Sequence, residues 1–547
     1  MRACILLHAR NDPHGLLAQL ESLVAADLDD RTEVVIAADA PTPEVRAILG
    51  RLEGSVTVRS TAEPIGRRAA LAIAAEAARA ELCIALGPCA RPEPGFAEAL
   101  AAAGPEPGLV APVIVSSGRE IAGYLAGPDG SLWPRALDDE RPADAAALDC
   151  FAANRTLFLD ELPEFTVREG HYELHVARAA GGTRIAPRAR VRRVSIGPPA
   201  TVVICTRDRE DEVQTCVEAL VAHDVLASGC EILIVDNASS DGTAELVRAL
   251  GGRFGSGVRL VSEPVPGLSQ ARNTGAGAAT HDVLCYLDDD ARPAPGWLEN
   301  LRGAFAYPAV AVAGGPIHAL WPPARPSGWP PPGIEGFFSV LSFGDVDAVN
   351  AQAWHYGANW AVRRGVVEAI GGFDLDYGAS AGRRLGAEET KAGFRIAQLG
   401  CGVSAYLTAA AVGHRIDPDR IDESWLQLRA FRNGVENVHL AAGFRPPGPE
   451  HTRQLADAAA AQLAQLVPLA GTGDADEALE TIAASELPLD ARIAAARALG
   501  TVVESALVLG RPSWTVAGLT LLLRPEHGRG IVRRPPPARP PALAAHV

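Results

Sequence analysis

Two tandem α/β/α units followed by a helical C-terminal region are what this 547-residue sequence predicts, and three observations carry that expectation. The first is an internal repeat: "YLDDDARPAPGW", Tyr286 to Trp297, is written earlier as "ALGPCARPEPGF", Ala85 to Phe96, with six of twelve letters identical. The second is alternation, because short β-branched runs such as "VVIC", "EILIVD" and "DVLCYLD" take turns with helical stretches such as "DEVQTCVEALVAHD" and "TAELVRALG". Such alternation favours a largely parallel sheet whose ligands sit beyond the carboxyl ends of its strands. The third is an amphipathic stripe, Trp425, Leu428, Phe431, Val435 and Val438, which opens a helical region at about Ile421.

Taken in order, "ACILLHARND" from Ala3 aligns with "TVVICTRDRE" from Thr201, and "EVVIAADAPTPEV" from Glu33 with "EILIVDNASSDGT" from Glu231. "VRSTAEPIGRRAALAIAAEAA" from Val58 follows the pattern of "RLVSEPVPGLSQARNTGAGAA" from Arg259, and "FAANRTLF" from Phe151 parallels "YGANWAVR" from Tyr356. The predicted units are therefore 1–197 and 198–420. Between Gly314 and Gly336 the chain is crowded with Pro, Gly and Trp, which predicts a long surface excursion rather than a helix or central strand. Alanine-rich helices are expected across 421–525, and the Pro-rich stretch 526–547 is expected to be a disordered tail.

A hydrophobic share of 48% is ample for several cores, and a formal charge of -16 argues against general affinity for nucleic acid or anionic lipid. The first apolar run is too short for a secretory segment, and "TVAGLTLLL", the longest apolar candidate, is half of the roughly 18 residues a membrane span needs. A soluble, cytoplasmic protein is expected. Its nine cysteines contain no C-x-x-C pair, and Cys4, Cys205, Cys230 and Cys285 lie in or beside strand-like runs, so buried free thiols are expected.

Three consecutive aspartates closing a buried strand are not packing residues, because each would cost on the order of several kcal/mol to bury unpaired. Strand alternation sends Asp288 and Asp290 one way and Asp289 the other. Hard oxygen donors in small number suit Mg²⁺ or Mn²⁺, with water and a substrate diphosphate completing the shell. The competing reading is a solvated acidic turn. Thr206 and Arg207 after "VVIC", and Asp236 closing "EILIVD", also fall at strand ends.

"CTRDR", "VDNASSDGT", "ARNTGA", "LDDDARPAPGW", "GANWAVRR", "GGFDLDYG", "GAEETKAGFR" and "VGHR" occur in one order between Cys205 and Arg415. The chain here resembles the family 2 glycosyltransferases of the GT-A fold, over most of residues 200 to 440. The resemblance implies two tandem GT-A-like, Rossmann-like domains, the second catalytic, and inverting transfer from a nucleotide diphospho-sugar, a UDP-sugar by family habit, to an acceptor hydroxyl. It implies that Thr206, Arg207, Asp236, Arg272, Asn273 and Asp288 bind the donor, with Asp236 on the base. Asp288 and Asp290 correspond to the family DxD that holds Mn²⁺ or Mg²⁺ on the diphosphate, and His414 corresponds to a histidine near the metal or diphosphate. Glu389 corresponds to the second acid of an ED pair and is the implied general base, with Glu388 orienting it or binding acceptor. Glu in place of Asp, and Lys391 where an acid is frequent, leave the choice between Glu388 and Glu389 open. Trp354 and Tyr356, flanking "GANW", and Asn359 within it are candidate acceptor contacts. The structural alternatives are an Asx turn at Asp236, a helix-starting acid at Asp241, a plain surface Arg272, a hydrogen-bonded His414 and packing aromatics.

In the first copy Asp288, Asp289 and Asp290 become Gly87, Pro88 and Cys89; Ala38 replaces Asp236, and His171 and Tyr172 face Glu388 and Glu389. That half is expected to be a degenerate, non-catalytic duplicate, either a partner for the second half or an acceptor-binding module. Two other classes compete: a non-catalytic nucleotide-sugar scaffold or sensor, against which the full acid set of the second copy weighs, and a nucleotidyltransferase, whose Gly-rich opening with a downstream Pro-Lys is not visible.

Overall fold

The computed structural model describes most of the chain; outside the described residues lie chiefly 1–2, 10–12, 88–89, 103–108, 127–131, 137–142, 144–149, 162–182, 194–196, 345–347, 351–354, 379–385, 441–447, 468–470 and 523–547. Pro88, Cys89, His171, Tyr172, Trp354 and the Pro-rich tail fall there.

Each half of the repeat builds its own sheet. In the first, the strand order is Thr57–Thr61, Thr32–Asp39, Ala3–Ala9, Leu82–Leu86, Cys150–Asn154, Leu109–Ser116, Thr183–Arg193 and Ala90–Pro92, with a hairpin, Arg119–Ala126 and Leu132–Ala136, attached at Leu109–Ser116. The second runs Val258–Ser262, Glu231–Asp236, Ala200–Thr206, Val283–Tyr286, Trp360–Arg363, Val310–Gly314, Val403–Tyr406 and Ala348–Asn350. The first four strands of each are parallel and the fifth is antiparallel. "EILIVD" is buried along its whole length, as a strand covered by helices on both faces must be. The α/β expectation holds in both halves.

Strand register corrects two of the sequence alignments. Cys4 lies opposite Glu33 as Thr201 lies opposite Glu231, so Cys4, not Ala3, is the counterpart of Thr201, and Ala9 that of Thr206. A one-residue slip would have exchanged the two faces of the strand, which the buried side chains forbid. Phe151 pairs with Ala85 as Trp360 pairs with Tyr286, so "FAANR" corresponds to "WAVRR" rather than to "YGANW". The shared Ala-Asn misled the alignment; in the second half it belongs to a short 3-10 turn, Gly357–Asn359.

The Pro-rich excursion is also corrected. Ile317–Leu320 is a fully buried strand pairing with Val412–Arg415, which pairs in turn with Ala291–Pro293. Further on, the 3-10 turn Glu335–Phe338 buries Phe338 between Trp321 and Trp425, at centroid distances of 5.1 Å each. Large aromatics with no other core to join pulled this segment inward.

Four helices follow: Glu423–Leu440, Pro449–Leu466, Ala475–Ala483 and Leu489–Val508. The first and last touch backbone to backbone. A Cβ on Gly434 would lie 2.0 Å from the Arg497 carbonyl oxygen, and one on Gly500 would lie 2.0 Å from that of Phe431. Phe431, Val435 and Val438 of the predicted stripe are buried, whereas Leu428 is exposed. Among the described residues no helix is long and apolar enough to cross a membrane, and eight cysteines are free thiols.

Candidate active site

The strand Val283–Tyr286 delivers Leu287 and the three aspartates to the carboxyl edge of the second sheet, beside the end of Ala200–Thr206. There the chain turns into Ala291–Pro293, which pairs Ala291 with His414. Asp288, Asp290 and His414 thereby bring one ligand atom each to within 4.8 Å of one another. Asp289 points elsewhere: it accepts a hydrogen bond from Thr206 Oγ1 at 2.7 Å and pairs with Arg209 at 2.7 Å. The same Arg209 nitrogen lies 2.7 Å from Asp290 Oδ2.

His414 is oriented by its other nitrogen. Nδ1 sits 2.9 Å from the Phe338 carbonyl oxygen, so Nδ1–H donates and Nε2 faces Asp290 Oδ1 at 3.2 Å. This is the arrangement that fixes the tautomer of a ligand histidine. Two carboxylates and one imidazole suit Mn²⁺ or Mg²⁺ as the resident ion.

The charges of these groups are interlocked. Burial alone would push Asp290 up, but the hydrogen bond and charge of His414, with Arg209, outweigh it and hold the carboxyl well below the usual range. His414 moves up: burial opposes its charged form, and Asp290 then Asp288 more than compensate. Asp289 is pushed up to about 6, first by burial and against Arg209, with Asp290 adding repulsion.

Arg272, buried to 3% exposure on the helix Leu268–Ala278, joins the aspartates to the second acid pair. Its guanidinium lies 3.7 Å from Asp288 Oδ1 and 3.6 Å from Glu389 Oε2, and it is ion-paired closely with Glu388. Gly357 is required beside it, because a Cβ there would stand 1.9 Å from Arg272 Nη2. Glu388 and Glu389 open the helix Glu388–Leu399, where acids are favoured by the helix dipole. Glu389 is held by one oxygen, which accepts from the Gly357 N–H at 3.2 Å; its Oε2 is buried with no hydrogen-bond partner. Burial, then the charge of Glu389, pushes Glu388 up to about 8 against the pull of Arg272. Five carboxylates thus face two guanidiniums and one imidazole, an excess of negative charge that a divalent cation would offset.

Of the residues named from sequence, Thr206, Arg272, Asp288, Asp290, Glu388, Glu389 and His414 are brought together. Asp236 closes its strand, and its Oδ1 accepts from the Ser239 N–H at 3.1 Å, the Asx turn weighed above. Asp241 accepts from the Thr243 N–H at 3.1 Å at the start of the next helix. Arg207 is half-exposed and lies 3.5 Å from Asp208.

Asn273 and Asn359 are engaged by the protein itself. The two ends of the Asn273 amide are occupied by the Phe373 carbonyl and N–H, at 2.9 and 2.7 Å, so it clamps "GGFD" instead of offering itself to a donor. Asn359 is fully buried, accepting from Trp297 Nε1 and donating to the carbonyls of Pro316 and Ala410, which leaves it unable to touch an acceptor. Tyr356 stands half-buried next to Gly336, where a Cβ would lie 3.0 Å from its hydroxyl. Trp354 lies outside the described residues. Lys391 reaches the Tyr377 hydroxyl at 3.3 Å.

Sequence reasoning missed Arg209, the last letter of "CTRDR", which bridges two of the aspartates. Its spacing from Thr206 on a strand-to-helix turn was the available signal. The site opens onto a cleft of about 510 Å³ whose wall includes Asp208, Arg209, Asp241, Asp290 and Arg415.

Residues 201–327 match the family model described as glycosyl transferase family 2. The chain is 27% identical over 176 residues to the glycosyltransferase AglE of Haloferax volcanii, a match covering 32% of this chain and 56% of that protein. It is 28% identical over 246 residues to the glucosyl-dolichyl phosphate glucuronosyltransferase of the same organism, covering 43% of this chain and 74% of that one. The chain therefore spans little more than half the length of AglE. Among solved structures, a mannosyltransferase from Pyrobaculum calidifontis in complex with GDP-Man and Mn²⁺ aligns with 22% identity and a TM-score of 0.38, covering 58% of this chain and 89% of that one.

Proposed function

We propose that this chain, whose residues 201–327 are a family 2 glycosyltransferase domain, transfers a sugar from a nucleotide diphospho-sugar to an acceptor hydroxyl with inversion at the anomeric carbon. One observation carries the reading. The single guanidinium of Arg272 reaches both a member of the Asp288, Asp290 and His414 cluster and the Glu388–Glu389 pair, so a diphosphate site and a base lie one side chain apart.

Asp288, Asp290 and His414 would hold Mn²⁺ or Mg²⁺, which supplies Lewis-acid neutralisation of the departing nucleoside diphosphate. Arg272 adds a fixed positive charge beside that group. Thr206 and Arg209 hold Asp289 turned away from the cluster, leaving Asp288 and Asp290 to face it. Glu389 is assigned as the base that removes the acceptor proton: Gly357 anchors one of its oxygens and the other accepts nothing. Glu388, tied to Arg272, orients that guanidinium. Asp236, at the strand end next to Thr206, is assigned to the nucleotide base, and a UDP-sugar is the favoured donor. The first half of the chain, without these groups, is assigned a non-catalytic role.

The test is nucleotide release. The full chain, incubated with UDP-, GDP- and dTDP-sugars and Mn²⁺, is expected to release nucleoside diphosphate from one of them and to stop on chelation. Release that persists undiminished in excess EDTA would remove the metal from this reading, and failure to bind any nucleotide sugar would remove the reading itself.

A further inference from the structure

Where the C-terminal helices meet the turn at the end of the Pro-rich segment, two arginines share one aromatic ring. Phe337, in the turn Glu335–Phe338, has Arg429 Cζ and Arg497 Cζ each 5.4 Å from its ring centroid. Arg429 comes from the helix Glu423–Leu440 and Arg497 from Leu489–Val508. Two like charges brought onto one ring repel each other. Only one is compensated: Arg429 pairs with Glu436 at 3.1 Å, whereas no carboxylate among the described residues pairs with Arg497. Arg497 Nε is buried without a hydrogen-bond partner. Burial and the neighbouring charge of Arg429 both weaken its hold on its proton, the response of a cation that lacks a counter-ion.

The position of this pair is informative. The turn that carries Phe337 also supplies the Phe338 carbonyl that orients His414, and its Gly336 abuts the Tyr356 hydroxyl. Tyr356 feels the charges of Glu389, Arg429 and Glu436 together, and the next residue, Gly357, anchors Glu389. Glu436 in turn accepts from the Gly386 N–H at 3.1 Å, two residues before Glu388. The arginines are therefore tied to the surroundings of the proposed base through Tyr356 and Glu436. Both side chains are half-buried.

We propose that Arg429 and Arg497 form an anion subsite that holds a phosphate of the acceptor beside Glu389. The inference rests on the transferase reading above in that it places the acceptor there. A planar guanidinium presents paired N–H donors to phosphate oxygens, and one positive charge is what Glu436 leaves unbalanced.

Calorimetric titration of the full chain without donor tests this, using farnesyl phosphate for a lipid-borne phosphate, glycerol 3-phosphate for a soluble one, and farnesol and glycerol as uncharged controls. At least one phosphate is expected to bind and its alcohol not to. Arg497→Gln is expected to raise the Kd of that phosphate about tenfold or more, and Arg497→Lys, which keeps the charge, to recover part of the loss. A merely structural Arg497 would lower the melting temperature without moving this Kd. Binding of neither phosphate, equal binding of the alcohols, or a Kd in Arg497→Gln within about threefold of wild type would overturn the subsite. Titration with nucleotide sugar and Mn²⁺ is read separately. A chain that takes the phosphate but no nucleotide sugar ends the transferase reading and leaves the anion site standing; one that turns over the donor yet ignores both phosphates does the reverse.

Discussion

The two halves of this chain keep the same contacts where a side chain serves the backbone and differ where a side chain would serve a ligand. Glu33 accepts from the N–H groups of Arg79 and Ala80, as Glu231 accepts from that of Thr280. Asp39 accepts from the Ile65 N–H at 2.7 Å, as Asn237 accepts from the Gly267 N–H at 2.7 Å. Each is followed by an alanine in left-handed conformation, Ala40 at φ 43 and Ala238 at φ 58. Gln19 reaches the Gly87 carbonyl, and its counterpart Cys216 reaches that of Asp288. Against that constancy, strand register sets Ala38 where the second half has Asp236, and Gly87 where it has Asp288. The fifth residue of the helix Gly66–Ala77 is Ala70, where Leu268–Ala278 has Arg272. The residue paired with Ala90 is Arg193, where Ala291 is paired with His414. A fold is retained by satisfying its own N–H groups, and those requirements are met in both halves although the strand-end side chains differ.

The largest effect expected is in the second half. Asp290→Ala should abolish Mn²⁺-dependent donor binding, read by titration with and without the ion; normal binding in that variant would erase the distinction between the halves at its centre. Glu389→Gln should keep donor affinity while transfer falls by roughly a hundredfold or more, the scale of a lost general base, in steady-state assays. If Glu388→Gln is the inactive variant instead, the two roles exchange.

Next comes the helical region, to which nothing in the first half corresponds. Gly434→Ala forces the helix Glu423–Leu440 away from Leu489–Val508 and should cost about 1–3 kcal/mol in denaturant unfolding. A smaller effect concerns pH. With Glu388 pushed up to about 8 from an ordinary 4.5, the folded chain binds a proton that the unfolded chain releases, so stability falls as pH rises through that window. Melting temperatures of Glu388→Gln should fall less than wild type between pH 5 and pH 9; parallel curves would refute the shift. The smallest effect is expected in the first half, where Gly87→Asp should leave the transfer rate as it was, because Ala38, Ala70 and Arg193 remain. A gain in turnover there would mean that half is a working site.

Much of this was legible because strands and aspartates leave local signals. The α/β alternation, the tandem repeat and the shared face of Asp288 and Asp290 follow from short apolar runs and from acids at their ends, whereas His414 is named only through the resemblance to family 2 glycosyltransferases. What sequence misread depended on three-dimensional pairing. Register, not letters, matches Phe151 with Trp360. "GANW" suggested contacts for Asn359, but only the fold shows three partners around its amide. Arg209 has only its spacing from Thr206 to mark it until the strand Ala200–Thr206 brings it to the aspartates, and a buried strand inside a Pro-rich segment becomes visible only when Val412–Arg415 arrives to pair with it.

Phe338 faces two ways at once, its carbonyl gripping the imidazole of His414 while its ring is wedged against Trp425 of the first long C-terminal helix. Shortening the chain before that helix would therefore slacken a histidine, proposed above to hold an ion, that lies, in sequence, ahead of the cut. The second half is in this sense not a detachable cartridge, and the helices behind it act as part of its grip.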